Sequence, residues 1–149
     1  MRRWIGLALV LGLVWASGAW AGMIGPKLQD ILRTAGPSQK IPVNIALKQQ
    51  ADNAALERAC VGKGKEARWA YVVGELKRLS EVTQRDLLAS LAAQEAVGQV
   101  SRVNPLWIVN AVGCDVTPVA VQAIASRPEV WYVEYDRVGA TLNAEKGDP

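Results

Sequence analysis

The chain has 149 residues, enough for one domain, with 17 Lys and Arg, 14 Asp and Glu, and no His. The missing imidazole excludes a Ser-His-Asp triad and any His-liganded zinc site, and 2 Cys are too few for a zinc site built from Cys alone. No metal or cofactor is expected, and a formal charge of +3 gives no support for a nucleic-acid partner.

Residues 1–21 read as a leader. Arg2 and Arg3 precede the apolar run from Ile5 to Trp15, which is short for a membrane span, and Ala19-Trp20-Ala21 is a small-x-small cleavage pattern. These are the marks of a secretory signal peptide. The protein is expected to be secreted or periplasmic, with no membrane association after cleavage. Cleavage after Ala21 leaves 128 residues with 15 basic and 14 acidic side chains, so much of the basic balance belongs to the leader. Trp69, Trp107 and Trp131 remain and are expected in the core. In a secreted chain Cys60 and Cys114 allow one disulfide, worth up to about 4 kcal/mol in the chain-entropy model. Two buried thiols are the alternative.

Residues 22–39 form an N-terminal extension, with a short helix predicted between Gly25-Pro26 and Gly36-Pro37. Residues 40–136 form the main domain. From Lys40 to Lys48 the pattern alternates, with Ile41, Val43, Ile45 and Leu47 on one face and Pro42, Asn44, Ala46 and Lys48 on the other, which predicts a strand. Ala51 to Cys60 reads as a short helix, and the glycines of Val61 to Lys65 break the pattern.

Glu66 to Ala96 is strongly helical. Trp69, Val72, Val73, Leu76 and Leu79 fall at helical spacing, and Leu87, Leu88 and Leu91 continue the series. Ser80 to Gln84 is expected to bend or break this helix, and Gly98 to stop it. Gln99 to Val116 is strand-rich. Pro105 predicts edge-like or bulged pairing, and Asn110-Ala111 is a weak turn signal. Thr117 to Pro128 predicts a helix with Thr117 as cap, Pro118 in the first position and Pro128 beyond the end.

The last strand is predicted over Val130 to Asp136. Alternation sets Tyr132, Glu134 and Asp136 on one face and Trp131, Val133 and Tyr135 on the other. The expected core therefore joins Val43, Ile45, Trp131, Val133 and Tyr135 to Trp69, Val72, Leu76, Val121 and Ile124. Residues 137–149 form a polar tail without periodicity.

The order strand, helix, strand, strand, helix, strand predicts an α+β, ferredoxin-like (βαββαβ) fold. It has an antiparallel sheet with two helices on one face and the other face open. An open sheet face of this kind needs a partner. Two like charges on that face, Glu134 and Asp136, serve no metal or histidine nearby.

That order resembles the propeptide or inhibitor domain of subtilisin-type serine proteases. The likeness is carried by KIPVNIALKQQAD, LWIVNAVGCDVTP, AVQAIASRPEV and VEYDR, and it covers Pro26 to Leu142. The resemblance implies an inhibitor or folding chaperone of such a protease, standing alone and not itself an enzyme, and a monomer when free. It implies that Tyr132, Glu134 and Asp136 dock on the protease, with the two carboxylates meeting helix N-termini. Helix N-termini accept anions because their N–H groups are unpaired. It also implies that Gly139, Ala140, Thr141 and Leu142 enter the substrate cleft, with Leu142 in the main specificity pocket. Two alternatives stand beside it. One is the remnant of a truncated protease prodomain. The other is an acylphosphatase-like small enzyme that would use the glycines and cations of VGKGKEAR to hold an anion.

Overall fold

The computed structural model describes residues 22–138. Residues 1–21, expected as a leader, and the tail residues Gly139, Ala140, Thr141 and Leu142 lie outside the described residues. The elements in chain order are β1 (Met23–Ile24), α1 (Pro26–Thr34), β2 (Ile41–Leu47), α2 (Asn53–Ala59), α3 (Lys65–Thr83), α4 (Arg85–Ala96), β3 (Val100–Leu106), β4 (Ala111–Val116), α5 (Pro118–Ala125) and β5 (Val130–Tyr135). The fold is α+β. Five strands form one mixed sheet in the order β1-β5-β2-β4-β3. The four longer strands pair antiparallel with their neighbours, and β1 alone runs parallel, to β5.

The alternation read in β2 is what the sheet uses. Ile41, Val43, Ile45 and Leu47 are buried, as are Val112, Cys114 and Val116 of β4 and Val130 and Val133 of β5. They pack against Leu28 of α1, Leu87 and Leu91 of α4, and Ala120, Val121, Ile124 and Ala125 of α5. Burying each large aliphatic side chain contributes about 1.5–3 kcal/mol, so this layer dominates the stability. Pro105 is accommodated because β3 is the last strand of the sheet, and its register slips between Ser101 and Asn104. Pro118 opens α5 as predicted. Thr117 occupies the cap position, but its hydroxyl makes no cap hydrogen bond. At α2 the cap is Asp52, whose carboxylate accepts from the Ala55 N–H at 3.0 Å.

Three expectations are corrected and one open alternative is narrowed. First, the sheet gains β1, which two residues are too few to reveal by alternation, and the described residues hold five helices, two of them from the stretch read as helical over Glu66 to Ala96. Second, the long helical stretch does break at Gln84, but its two halves have different fates. α4 buries Leu87 and Leu91, whereas α3 buries only Ser80. Trp69 is 70% exposed, and Val72 and Leu76 are half-exposed and outside the core. Trp69 and Val72 face α2 and its loop, where with Leu56, Cys60 and Val61 they line a trough of about 710 Å³.

Third, Trp131 is 53% exposed. Ala46 pairs with Tyr132 while the next residue, Leu47, pairs with Val130, so Trp131 is the extra residue of a bulge. The bulge resets the alternation. Val130 and Val133 point inward, and Tyr135 packs at the margin of the core. Fourth, of the two states left open for Cys60 and Cys114, the structure has both thiols free. Cys60 ends α2 and is half-buried, whereas Cys114 is buried inside β4. Burial, with Asp115 adjacent, pushes the Cys114 thiol up to about 12, against a smaller lowering by Lys40.

Candidate functional site

The candidate site is the sheet face opposite the core. Its residues are the off-phase positions of the strands. In β2 these are Pro42, Asn44 and Ala46, whose neighbours in β4 are Asp115, Gly113 and Ala111. On the other side Asn44 pairs with Glu134 and Ala46 with Tyr132. One row across the sheet therefore reads Glu134, Asn44, Gly113 and Asn104, and the next reads Tyr132, Ala46, Ala111 and Leu106. The centre of this face is built from small side chains. A Cβ at Gly113 would only touch the Asn44 Oδ1, at 3.4 Å.

The two sides of the face differ. On the β3 side, Arg102 and Asp115 form a paired charge. The Arg102 Nη2 donates to Asp115 Oδ1 at 2.9 Å, and its Nε lies 2.7 Å from Oδ2. This fork geometry fixes the guanidinium against an almost buried carboxylate. Arg102 sits at φ 55, in the slipped segment of β3, where its departure from extended backbone brings the side chain over β4. On the β5 side the charge is acidic. Glu134 is exposed and Asp136 half-exposed. Asp136 lies one residue past the strand, tied to β2 by its N–H donating to the Pro42 carbonyl at 2.9 Å. Its carboxylate accepts from the Val138 N–H at 3.0 Å, so one oxygen already holds the turn that leads into the tail.

Tyr132 is half-buried on the same face as Glu134, as its sequence phase requires. Gly25 leans against it. A Cβ at Gly25 would lie 2.7 Å from the Tyr132 hydroxyl oxygen and 3.5 Å from the Glu134 Cβ. The Gly25 N–H donates to the Val133 carbonyl at 2.8 Å, which holds this approach in place. The rings of Trp131 and Tyr132 are neighbours, 6.4 Å between centroids. Tyr132 and Glu134 share the face of Ala46 and Asn44, and Asp136 follows directly beyond the strand end. The tail segment Gly139 to Leu142 falls outside the described residues.

Sequence reasoning missed the polar lock at one end of this face. Gln84, at the break between α3 and α4, is 2% exposed, and so is Asn110 in the β3–β4 turn. The Gln84 Nε2 donates to Asn110 Oδ1 at 2.9 Å, to the Leu106 carbonyl at 3.1 Å and to the Ala111 carbonyl at 3.3 Å. The Asn110 Nδ2 donates to the Gln49 carbonyl at 2.6 Å and to Thr83 Oγ1 at 2.8 Å. Asn110 has φ 40, a conformation that Asn tolerates better than most residues. One buried network therefore fixes the helix break, the β3–β4 turn and the chain leaving β2. The sequence carried both ends of it, as a helix break and a turn signal, but nothing in the spacing joined them.

Among the described residues no group of three His, Cys, Asp or Glu could hold a metal ion. The glycine-rich stretch raised as an anion loop has Gly62 at φ 75 and Gly64 as the cap position of α3, and it borders the trough between α2 and α3, away from Glu134. No helix among the described residues is long and apolar enough to cross a membrane. No protein-family model, no curated protein and no solved structure matches the chain.

Proposed function

We propose that this protein is a secreted or periplasmic inhibitor or folding chaperone of a subtilisin-type serine protease. In this reading the four longer strands with α4 and α5 form a ferredoxin-like unit. The order β5-β2-β4-β3 with antiparallel neighbours supports that, β1 and α1 being additions at the edge. The single observation that carries the proposal is the open face. Its centre, Asn44, Ala46 and Gly113, carries only small side chains, a surface on which the sides of two helices would pack. Its β5 border carries Tyr132, Glu134 and Asp136, where anions would meet helix N-termini. Each such carboxylate contributes about 0.3–1 kcal/mol when exposed, and up to about 2 kcal/mol when partly buried by the partner.

The tail then runs from the same end of β5 into the substrate cleft, with Gly139 to Leu142 lying there as an added strand. The test is inhibition of a panel of subtilisin-type proteases by residues 22–149, beside the same chain ending at Asp136. Competitive inhibition by the longer form, lost in the shorter one while its fold persists, is the expected result. No inhibition of any member would reject the proposal, and equal inhibition by both forms would reject the role of the tail.

A further inference from the structure

We infer that cleavage after Ala21 creates an ammonium on Gly22 that docks on the carbonyl end of α5 and fastens β1 to the strand carrying Glu134. This inference rests on the leader and is independent of the inhibitor reading. The Gly22 backbone nitrogen donates to the carbonyl of Ala125, the last residue of α5, at 2.5 Å. The end of a helix carries partial negative charge, and α5 has no basic residue in its last turn to meet it. A cation at Gly22 supplies what the helix lacks.

The space is cut for glycine. A Cβ at position 22 would lie 2.9 Å from Val130 Cγ1, 3.0 Å from the Val130 carbonyl and 3.2 Å from the Ala125 carbonyl. Any side chain would lift the nitrogen off the helix end. The charged side chains at this end are engaged with each other or with backbone. The Arg127 Nε lies 2.6 Å from Glu129 Oε1, and the Lys48 Nζ donates to the Pro128 carbonyl at 2.6 Å. From Gly22 the chain runs directly into the parallel pairing of Met23 with Tyr132 and of Ile24 with Val133.

The covalent step is hydrolysis of the Ala21–Gly22 amide by a signal-peptidase-class protease. One water is consumed, Ala21 leaves as a carboxylate, and the Gly22 nitrogen takes up protons to become an ammonium. An uncleaved amide can make the same single hydrogen bond but brings no charge. That difference is what the experiment reads.

Three forms of the protein are compared: one beginning at Gly22, one carrying Ala21 as an extra first residue, and one with an acetylated Gly22. The form beginning at Gly22 should melt about 3 °C above the other two, the size expected for a charge on a helix end. Its α-amino group should react with an amine-labelling reagent several-fold more slowly in the folded protein than in the unfolded one. Equal melting of the free and acetylated forms, or equal labelling of folded and unfolded protein, would overturn the inference. So would exported protein whose mass shows a start other than Gly22.

Discussion

α3 and α4 each carry an apolar series and meet opposite fates. Each carries a series of large apolar residues, Trp69, Val72, Leu76 and Leu79 in the first and Leu87, Leu88 and Leu91 in the second. Yet α4 buries Leu87 and Leu91 completely, while α3 leaves Trp69 70% exposed. The difference lies in what each helix meets. α4 lies against β3 and the core, whereas α3 is separated from the sheet by the break at Gln84 and turns its apolar side toward α2. An apolar stripe states that a helix has a face to cover, and only tertiary contact decides what covers it.

The strongest way to break this comparison is to truncate both helices. Leu91→Ala should destabilise by about 2–5 kcal/mol, because it leaves a cavity in the core. Urea unfolding would show this as a lower midpoint with an unchanged slope. A smaller effect is expected at the junction. Gln84→Ala strips a donor from Asn110 Oδ1 and from the Leu106 and Ala111 carbonyls, and should cost about 1–3 kcal/mol in the same assay. If Gln84→Ala unfolded at the wild-type midpoint, the junction would not be what separates the two helices.

The cysteines sharpen the contrast between core and α2–α3 periphery. Cys60 should react with a thiol reagent in the folded protein, and Cys114 only after unfolding. The thiol of Cys114 is raised to about 12 in the folded state from an ordinary 9.0, so the folded chain holds that proton more tightly. Its contribution is fully present below about pH 9 and is lost as pH rises toward 12, since the unfolded chain ionises first. Replacing Cys114 with Val should flatten that alkaline loss when unfolding midpoints are compared across pH. The smallest effects belong to the exposed tryptophans. Trp69→Ala and Trp131→Ala should each shift stability by about 0.5 kcal/mol or less, the usual scale for surface positions. A loss at Trp69 as large as that at Leu91 would erase the distinction between the helices.

Much of this was legible. The alternation of Ile41, Val43, Ile45 and Leu47 is a local property of the chain, and it placed β2 and its buried face directly. Pro105 announced an edge strand, and Pro118 marked the start of α5, because both act through the backbone at their own position. The phase of β5 was not legible, since it is reset by a bulge that exists only in the pairing of Val130 and Tyr132 with adjacent residues of β2. Tyr132, Glu134 and the following Asp136 all lie beyond the bulge, so it leaves their phase relative to one another unchanged. β1 was invisible for a different reason, as two residues acquire a strand's identity only from β5 beside them. The Gln84–Asn110 lock joins positions far apart in the chain, and no periodicity encodes that.

The central claim is that the open face binds a subtilisin-type protease through its acidic border. It is tested most directly by measuring inhibition constants for the wild type and for Glu134→Gln combined with Asp136→Asn, at low and high salt. The substitutions keep side-chain shape and remove charge, and unfolding midpoints verify that the fold is retained. The account predicts affinity about tenfold or more weaker in the double variant, equivalent to roughly 1.4 kcal/mol, with the gap narrowing as salt rises. Wild-type affinity in the double variant at low salt would contradict it.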